Sequence, residues 1–146
     1  MHVMIFFTLL QALGHPMIDQ LHGIGIREGL PPFLLECVIF EESRGQAKAV
    51  SPVNKKYGSR DLGLCQLSSR YLVYFSNKFY GGKNFDVFNP IINATIAARY
   101  LAYLIKRFGS IELGLIAYNG GETNLANGII YDESREYAKR VLNDFN

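Results

Sequence analysis

Two adjacent carboxylates, Glu41 and Glu42, are the residues of this sequence best placed to do acid–base chemistry. Both come at the end of a strongly apolar segment. If that segment is helical, Glu42 continues the face of three apolar residues that precede it by seven, four and three positions: Leu35, Val38 and Ile39. A carboxyl held against an apolar face loses hydration, which raises its pKa. Such a group could protonate a leaving oxygen near neutral pH.

The spacing does not choose between the two acids. Glu41 has apolar residues at the same three offsets, namely Leu34, Cys37 and Val38. One of the two carboxylates could therefore be functional or in a buried pair, with the other in solvent. A third interpretation, in which both acids simply end the helix, is also compatible with the pattern.

The elements that must position these acids are predicted to be helices. The acids end a helix from about Pro32 to Ser43, which is apolar nearly all round and should be buried. Glycines interrupt residues 23–29, and residues 44–61 form a polar loop. No stretch alternates apolar and polar residues for long, so no convincing strand is predicted. Capping and turn-forming residues delimit four further helices. The first runs from Ser68 or Ser69 to about Tyr80. The others are about Pro90–Phe108, Ser110–Tyr118 and Glu133–Leu142, the last with Asp132 as its cap.

Composition limits the class of protein. The chain has 146 residues, 49% of them apolar and 19% charged, which fits one globular all-α domain with a real core. A net charge of +2 is too small to indicate a nucleic-acid partner. Cys37 and Cys65 stand in apolar surroundings and are interpreted as buried free thiols rather than a disulfide. His2, His15 and His22 have no partnering acid or cysteine cluster, so we expect no metal and no cofactor.

The first fourteen residues, MHVMIFFTLLQALG, have two interpretations. Val3–Leu10 is a short apolar run, and Ala12 and Gly14 are small residues placed as a signal-peptidase site requires. No Lys or Arg precedes the run. A cleaved export signal is favoured over an ordinary first core helix, and residues 15–146 would then form the domain. The run is too short to span a bilayer, which needs about 20 apolar residues.

A series of short motifs resembles a known family. In order they are Glu42-Ser43, Ala49-Val50-Ser51-Pro52, Gly63-Leu64-Cys65-Gln66-Leu67 and Ala117-Tyr118-Asn119-Gly120-Gly121. Together they look like the soluble lytic transglycosylase domain of the lysozyme-like superfamily, which also contains goose-type lysozymes. The resemblance extends from about Pro31 to Leu142, and Asn93 and Tyr137 also match the family pattern.

The resemblance implies a lysozyme-like helical domain with a substrate groove and selects Glu42, because the family's catalytic Glu is directly followed by Ser. Most glycosidases use two carboxylates. Asp61 is the nearest second candidate, but no motif fixes its distance from Glu42. In the family, one Glu is sufficient. The residues implied in substrate binding are Ser51, Gly63, Leu64, Gln66, Tyr118, Asn119 and Tyr137.

Two features depart from the family pattern. Cys65 stands where the family usually has Met, so the groove could be slightly wider. The segment between Ser51 and Gly63 is longer than usual and should border the cleft, which makes the assignment of Ser51 looser than that of Gln66. Whether Tyr57 or Arg60 reaches substrate is left open by the sequence.

The reaction implied by the resemblance is cleavage of the β-1,4 bond between N-acetylmuramic acid and N-acetylglucosamine of peptidoglycan, leaving a 1,6-anhydromuramoyl end. The alternatives are a goose-type hydrolytic muramidase and a wall-binding module without catalysis. The expected location is the periplasm or cell envelope. The chain is expected to be a monomer. Its expected partners are glycan strands and a secretion, conjugation or other envelope-spanning apparatus.

Overall fold

Eight helices and one short β-hairpin make up the protein, as a computed structural model describes it over residues 1–146. The helices are α1 Val3–Leu13, α2 His15–Arg27, α3 Leu34–Ser43, α4 Leu72–Phe79, α5 Pro90–Phe108, α6 Ile111–Gly120, α7 Glu122–Ala126 and α8 Asp132–Phe145. The strands are β1 Asp61–Leu62 and β2 Leu67–Ser68, and a 3-10 turn spans Ser69–Tyr71. The all-α prediction is confirmed, and no helix is both long and apolar enough to cross a membrane.

Helix α3 forms the centre of the core. Its residues Leu34, Leu35, Cys37, Val38 and Ile39 are at most 1% exposed, and the helix packs against α1, α2 and α8. The helix begins later than the predicted Pro32, because Phe33 adopts the left-handed conformation with φ 74° and cannot belong to the first turn. Both cysteines are buried free thiols, as predicted.

The N-terminal helices are integral to this core. Ile5 and Leu9 of α1 are 2% and 1% exposed. Helix α2 continues through Gly23 and Gly25 to Arg27, so the predicted interruption is wrong for residues 23–27. The reason is tertiary: a Cβ at Gly25 would lie only 3.3 Å from that of Leu35, so glycine permits close packing of α2 on α3.

Helix α5 has the predicted bounds, because local signals define both of its ends. The Asn89 side chain accepts hydrogen bonds from the backbone N–H groups of Ile91 and Ile92, and Pro90 occupies the first helical position. Gly109, with φ 91°, ends the helix in the left-handed conformation. This helix runs behind the hairpin and carries Asn93, which is fully buried.

The hairpin was not predicted, and its size explains why. Asp61 pairs with Ser68 and Leu62 with Leu67, which is too short a ladder to produce an alternating sequence. Asn93 holds the turn between the strands by accepting a hydrogen bond from the Cys65 N–H (2.8 Å) and donating one to the Leu62 carbonyl (3.1 Å). Asn93 therefore fixes the floor on which the candidate site is built.

Three other helices differ from the prediction in their bounds, and one helix was not predicted. Helix α4 starts at Leu72, because the 3-10 turn occupies the preceding residues. Helix α6 runs two residues past Tyr118, to Gly120. Helix α7 was not predicted, since five residues carry no readable periodicity. Helix α8 extends to Phe145, and Tyr131 rather than Asp132 occupies its capping position.

Candidate active site

A cavity of about 220 Å³ opens between the end of α3, the hairpin, and the end of α6. An adjoining cavity of about 480 Å³ continues it toward α7. The two share several lining residues and together are called the groove. The first cavity is lined by Glu42, Asn54, Tyr57, Ser59, Asp61, Gln66, Leu67, Ser68, Arg70, Tyr71, Phe75, Tyr100, Tyr118, Asn119, Gly120, Gly121 and Asn124.

Glu42 is the carboxylate of α3 that faces this cavity. Burial raises its pKa from the ordinary 4.5 to about 8, and the nearby charges of Asp61 and Glu41 act in the same direction. Tyr137, which lies beside the carboxyl, opposes the rise. Glu42 is therefore protonated in the free protein at neutral pH and can donate a proton.

Glu41 points away from the groove. Its Oε2 accepts a hydrogen bond from Nε of Arg140 on α8 at 3.1 Å. Asp144 lies nearby on the same helix, and burial together with Glu41 raises the pKa of the Asp144 carboxyl to about 6. The two adjacent acids thus differ in environment: Glu41 joins α3 to α8, and Glu42 faces the groove.

Ser43 links the end of α3 to the hairpin turn. Its hydroxyl donates to the Leu64 carbonyl at 2.7 Å and accepts from the Gly45 N–H at 3.2 Å. The side chain is buried, so these bonds are shielded from water. The Glu-Ser pair consequently fixes the position of Glu42 relative to the turn that carries Gln66.

Gln66 lines the cavity and is held in an unusual conformation. Its φ is 56°, and its side-chain nitrogen donates to the carbonyls of Ala49 (3.2 Å) and Gly63 (3.0 Å). Gly63 itself has φ 80°, and a Cβ there would lie 2.5 Å from the Asn93 side-chain nitrogen. The turn therefore presents the Gln66 side chain to the cavity, while Gly63 serves the packing behind it.

Two tyrosines flank Glu42. Tyr118 lines the cavity, and its hydroxyl donates to the Cys65 carbonyl at 2.7 Å. Tyr137 is 2% exposed and lies behind the carboxyl, where its hydroxyl makes no hydrogen bond of ordinary geometry within the protein. Burial raises the pKa of both phenols well above the usual value, so they remain neutral.

Asn119 lines the cavity wall from the end of α6. Its side-chain oxygen accepts a hydrogen bond from the Ser134 hydroxyl at 2.8 Å. A Cβ at Gly120 would lie 2.5 Å from that same hydroxyl oxygen, so glycine is needed for α6 and α8 to approach.

Four of the predicted binding residues, Ser51, Gly63, Leu64 and Tyr137, lie outside the cavity lining. Ser51 closes the base of the 52–60 loop, where its hydroxyl accepts from the Asp61 N–H at 2.7 Å. Leu64 is fully buried, and Gly63 is packed against Asn93. The structure thus brings Glu42, Gln66, Tyr118 and Asn119 together around the cavity, with Tyr137 behind Glu42.

Sequence reasoning missed most of the aromatic and loop residues of the groove. Tyr57 lines both cavities, whereas Arg60 lines neither. Asp61 lines the first cavity, and partial burial raises the pKa of its carboxyl. The sequence offers Asp61 as a candidate second carboxylate, and tertiary folding brings it near Glu42.

The far end of the groove contains another acid, Glu122. Its carboxylate accepts hydrogen bonds from the hydroxyls of Tyr74 and Tyr103 and from the guanidinium of Arg107. These donors, together with the Arg107 charge, outweigh partial burial and lower the pKa of Glu122. Glu122 is therefore an ionised, fully partnered carboxylate, unlike Glu42.

The comparisons with known proteins agree with this architecture. The family model of the transglycosylase SLT domain matches residues 23–141, and the chain belongs to this family. The fold resembles the 70 kDa soluble lytic transglycosylase of Escherichia coli, with a TM-score of 0.72 and 21% identity over 86% of this chain. A complex of the 70 kDa soluble lytic transglycosylase with bulgecin A gives the same values.

An inactive mutant of the lytic transglycosylase Slt from Pseudomonas aeruginosa is similar as well, with a TM-score of 0.69 and 23% identity over 89% of this chain. The chain spans only 22% to 24% of the length of these enzymes. No curated protein sequence matches it significantly. The chain therefore belongs to the transglycosylase SLT family and shares the fold of these enzymes over most of its length.

Proposed function

We propose that this protein is a peptidoglycan lytic transglycosylase in which Glu42 is the general acid and then the general base. Glu42 would protonate the oxygen that links N-acetylmuramic acid to N-acetylglucosamine, and the bond from C1 to that oxygen would break. The resulting carboxylate would take the proton of the muramoyl C6 hydroxyl, whose oxygen attacks C1. The products are a 1,6-anhydromuramoyl end and a free N-acetylglucosamine hydroxyl.

The observation that carries this proposal is the environment of Glu42. It is a groove-lining carboxyl that burial keeps protonated up to a pH of about 8, which is the state a general acid requires. The other acid on α3, Glu41, is engaged by Arg140. Glu122, at the far end of the groove, is already ionised by its partners.

Other residues would support this chemistry by positioning the sugars. Gln66 and Asn119 offer amide groups along the cavity, which suit the N-acetyl groups of the substrate. Tyr118 and Tyr137 flank the carboxyl, and Tyr137 has a hydroxyl free to hydrogen bond to Glu42 in its ionised, basic form. Ser51, Gly63 and Leu64 would contribute indirectly, by holding the loop and the turn.

One observation favours a second candidate, hydrolysis by a muramidase. Asp61 lines the same cavity as Glu42, so the site contains a second carboxylate that could activate water. In that reaction Glu42 would still be the acid, but a water molecule would attack C1 and leave a reducing end. The product, rather than the fold, distinguishes the two reactions.

Digestion of purified sacculi followed by mass spectrometry of the fragments tests the proposal. Wild type and Asp61→Asn should both release anhydro fragments, which are lighter by one water than hydrolytic ones, and Glu42→Gln should release none. Reducing ends that disappear in Asp61→Asn would instead identify the muramidase. Equal binding to sacculi by wild type and Glu42→Gln, with turnover by neither, would identify a wall-binding module.

The setting proposed for this activity is the periplasm or cell envelope, with glycan strands as the main partner and an envelope-spanning apparatus as a further one. The chain would act as a monomer. For residues 1–14 we propose a first core helix rather than a cleaved export signal, because α1 buries Ile5 and Leu9. Mass determination of the protein recovered from the envelope would detect removal of that segment.

A further inference from the structure

Arg70 lies where the two parts of the groove meet and has no carboxylate partner. It lines the cavity that contains Glu42 and also the one that contains Glu122. Arg99, Arg107 and Arg140 each pair with a glutamate, and of the five arginines that do not, only Arg70 lines the groove. No Asp or Glu lies within ion-pair distance of Arg70, although its side chain projects into a binding groove.

Two aromatic rings hold the Arg70 guanidinium in place. Its central carbon lies 3.6 Å from the centre of the Tyr57 ring and 5.1 Å from that of Tyr71. Stacking of this kind occupies the face of a guanidinium and leaves its N–H groups at the edge available to an anion. The Lys56 ammonium, 5.1 Å from the centre of the Tyr57 ring, adds positive charge beside it.

The loop that carries Tyr57 is ordered by its own hydrogen bonds. The side-chain oxygen of Asn54 accepts from the N–H groups of Lys56 (2.9 Å) and Tyr57 (3.1 Å). The Gly58 N–H donates to the Asn54 carbonyl at 2.7 Å. This loop lies in the segment between Ser51 and Gly63, which is longer than is usual in the family. Its hydrogen bonds hold the Tyr57 ring at the groove.

The Arg70 backbone is anchored as well. Its N–H donates to the Ser68 hydroxyl, and the adjacent Ser69 exchanges hydrogen bonds with Arg60 at the end of the loop. The guanidinium is therefore positioned before any ligand arrives, which lowers the entropic cost of binding.

We infer that Arg70, stacked on Tyr57, is a binding site for a carboxylate on the side arm of muramic acid. The inference rests on the proposed function and specifies its substrate. The acetylated sugar backbone is neutral, so anionic charge along a strand comes from the side arms. That charge is a peptide carboxylate where the peptide is present, and the lactyl carboxylate where it has been removed.

Binding measured with the inactive Glu42→Gln form tests the inference without depending on turnover. The three probes are a peptide-bearing tetrasaccharide from peptidoglycan, the same tetrasaccharide after removal of its peptides, and chitotetraose, which has no carboxylate. Adding Arg70→Gln to this inactive form should weaken binding of one carboxylate probe, the one whose carboxylate Arg70 binds. The expected loss is roughly tenfold or more, because a charge-assisted hydrogen bond is lost. Binding of chitotetraose should not change.

The two carboxylate probes identify the source of the anion. Loss confined to the peptide-bearing probe indicates a peptide carboxylate, and loss confined to the stripped probe indicates the lactyl group. Lys55→Gln is the matched control, because Lys55 is an exposed cation of the loop that carries Tyr57 and does not line the groove. Arg70→Lys should recover part of the affinity, and high salt should reduce the difference between Arg and Gln.

Equal weakening of all three probes, or no change in any, would overturn the inference. Its failure is distinguishable from failure of the proposed function. If wild type releases no anhydro fragments from sacculi, the function is wrong whatever Arg70 binds. If it does release them and Arg70→Gln binds every probe like its parent, only the carboxylate site is wrong.

Discussion

Replacing Glu42 by Gln should stabilise the protein, and increasingly so as pH rises. The pKa of Glu42 is about 8 in the folded protein and about 4.5 in an unfolded chain. Between these values the unfolded chain releases the proton and the folded protein retains it, so stability falls as pH increases. Gln has nearly the same shape and does not titrate, so the variant avoids this loss.

The magnitude follows from the two pKa values. The loss accumulates at about 1.4 kcal/mol per pH unit, which amounts to about 3 kcal/mol at pH 7 and about 5 kcal/mol above pH 8. For a domain of this size, 3 kcal/mol is a substantial part of the total free energy of unfolding. At pH 4, where Glu42 is protonated in both states, the two proteins should be nearly equally stable.

Urea unfolding of wild type and Glu42→Gln at pH 4, 7 and 9, followed by circular dichroism, measures the difference. Glu136→Gln is the control, since Glu136 is exposed on α8 and its substitution should change stability little at any pH. A difference for Glu42→Gln that does not vary with pH would refute the reasoning, because it would mean that Glu42 ionises normally. A variant less stable than wild type at pH 9 would do the same.

Three further predictions concern the same region. The kcat/KM of wild type on glycan strands should fall as pH rises through about 8, because Glu42 must be protonated to act as the acid; a profile that stays flat to pH 10 would contradict this. In Asp61→Asn this alkaline limb should move to lower pH, since the Asp61 charge helps to raise the Glu42 pKa. Asp132→Asn should leave the limb in place, because Asp132 does not line the cavity. Asn93→Ala should destabilise the protein by about 3 kcal/mol, because it leaves the backbone groups of the hairpin turn buried without partners. Thermal unfolding measures this loss of stability. An unchanged Tm would show that the turn does not need Asn93.

The elements that the sequence predicted well are those with local signals. Helix α5 is defined by an asparagine cap, a proline and a final glycine, all within or next to it. The hairpin depends instead on Asn93, whose side chain bonds to backbone groups about 30 residues earlier, such as Cys65 N–H at a separation of 28. No local pattern contains that information.

The choice between Glu41 and Glu42 shows the same limit. Helical periodicity gives both acids equivalent apolar neighbours, and what separates them is Arg140, 99 residues away from Glu41. The motif order favoured Glu42, and the structure adds that Glu42 alone of the two lines the groove. Tyr57 and Arg70 could not be found in this way, because stacking between a loop and a 3-10 turn has no sequence signature.

The turn between the two strands has a consequence for folding. Its backbone is bound by Asn93 of α5, Ser43 of α3 and Tyr118 of α6, at sequence separations of 28, 21 and 53 residues. Such long-range contacts form only after distant parts of the chain have come together. Hydrogen exchange at the Cys65 amide should therefore require global unfolding, not local opening. A partly folded chain would lack the site altogether, so the proposed activity would appear only with the complete fold.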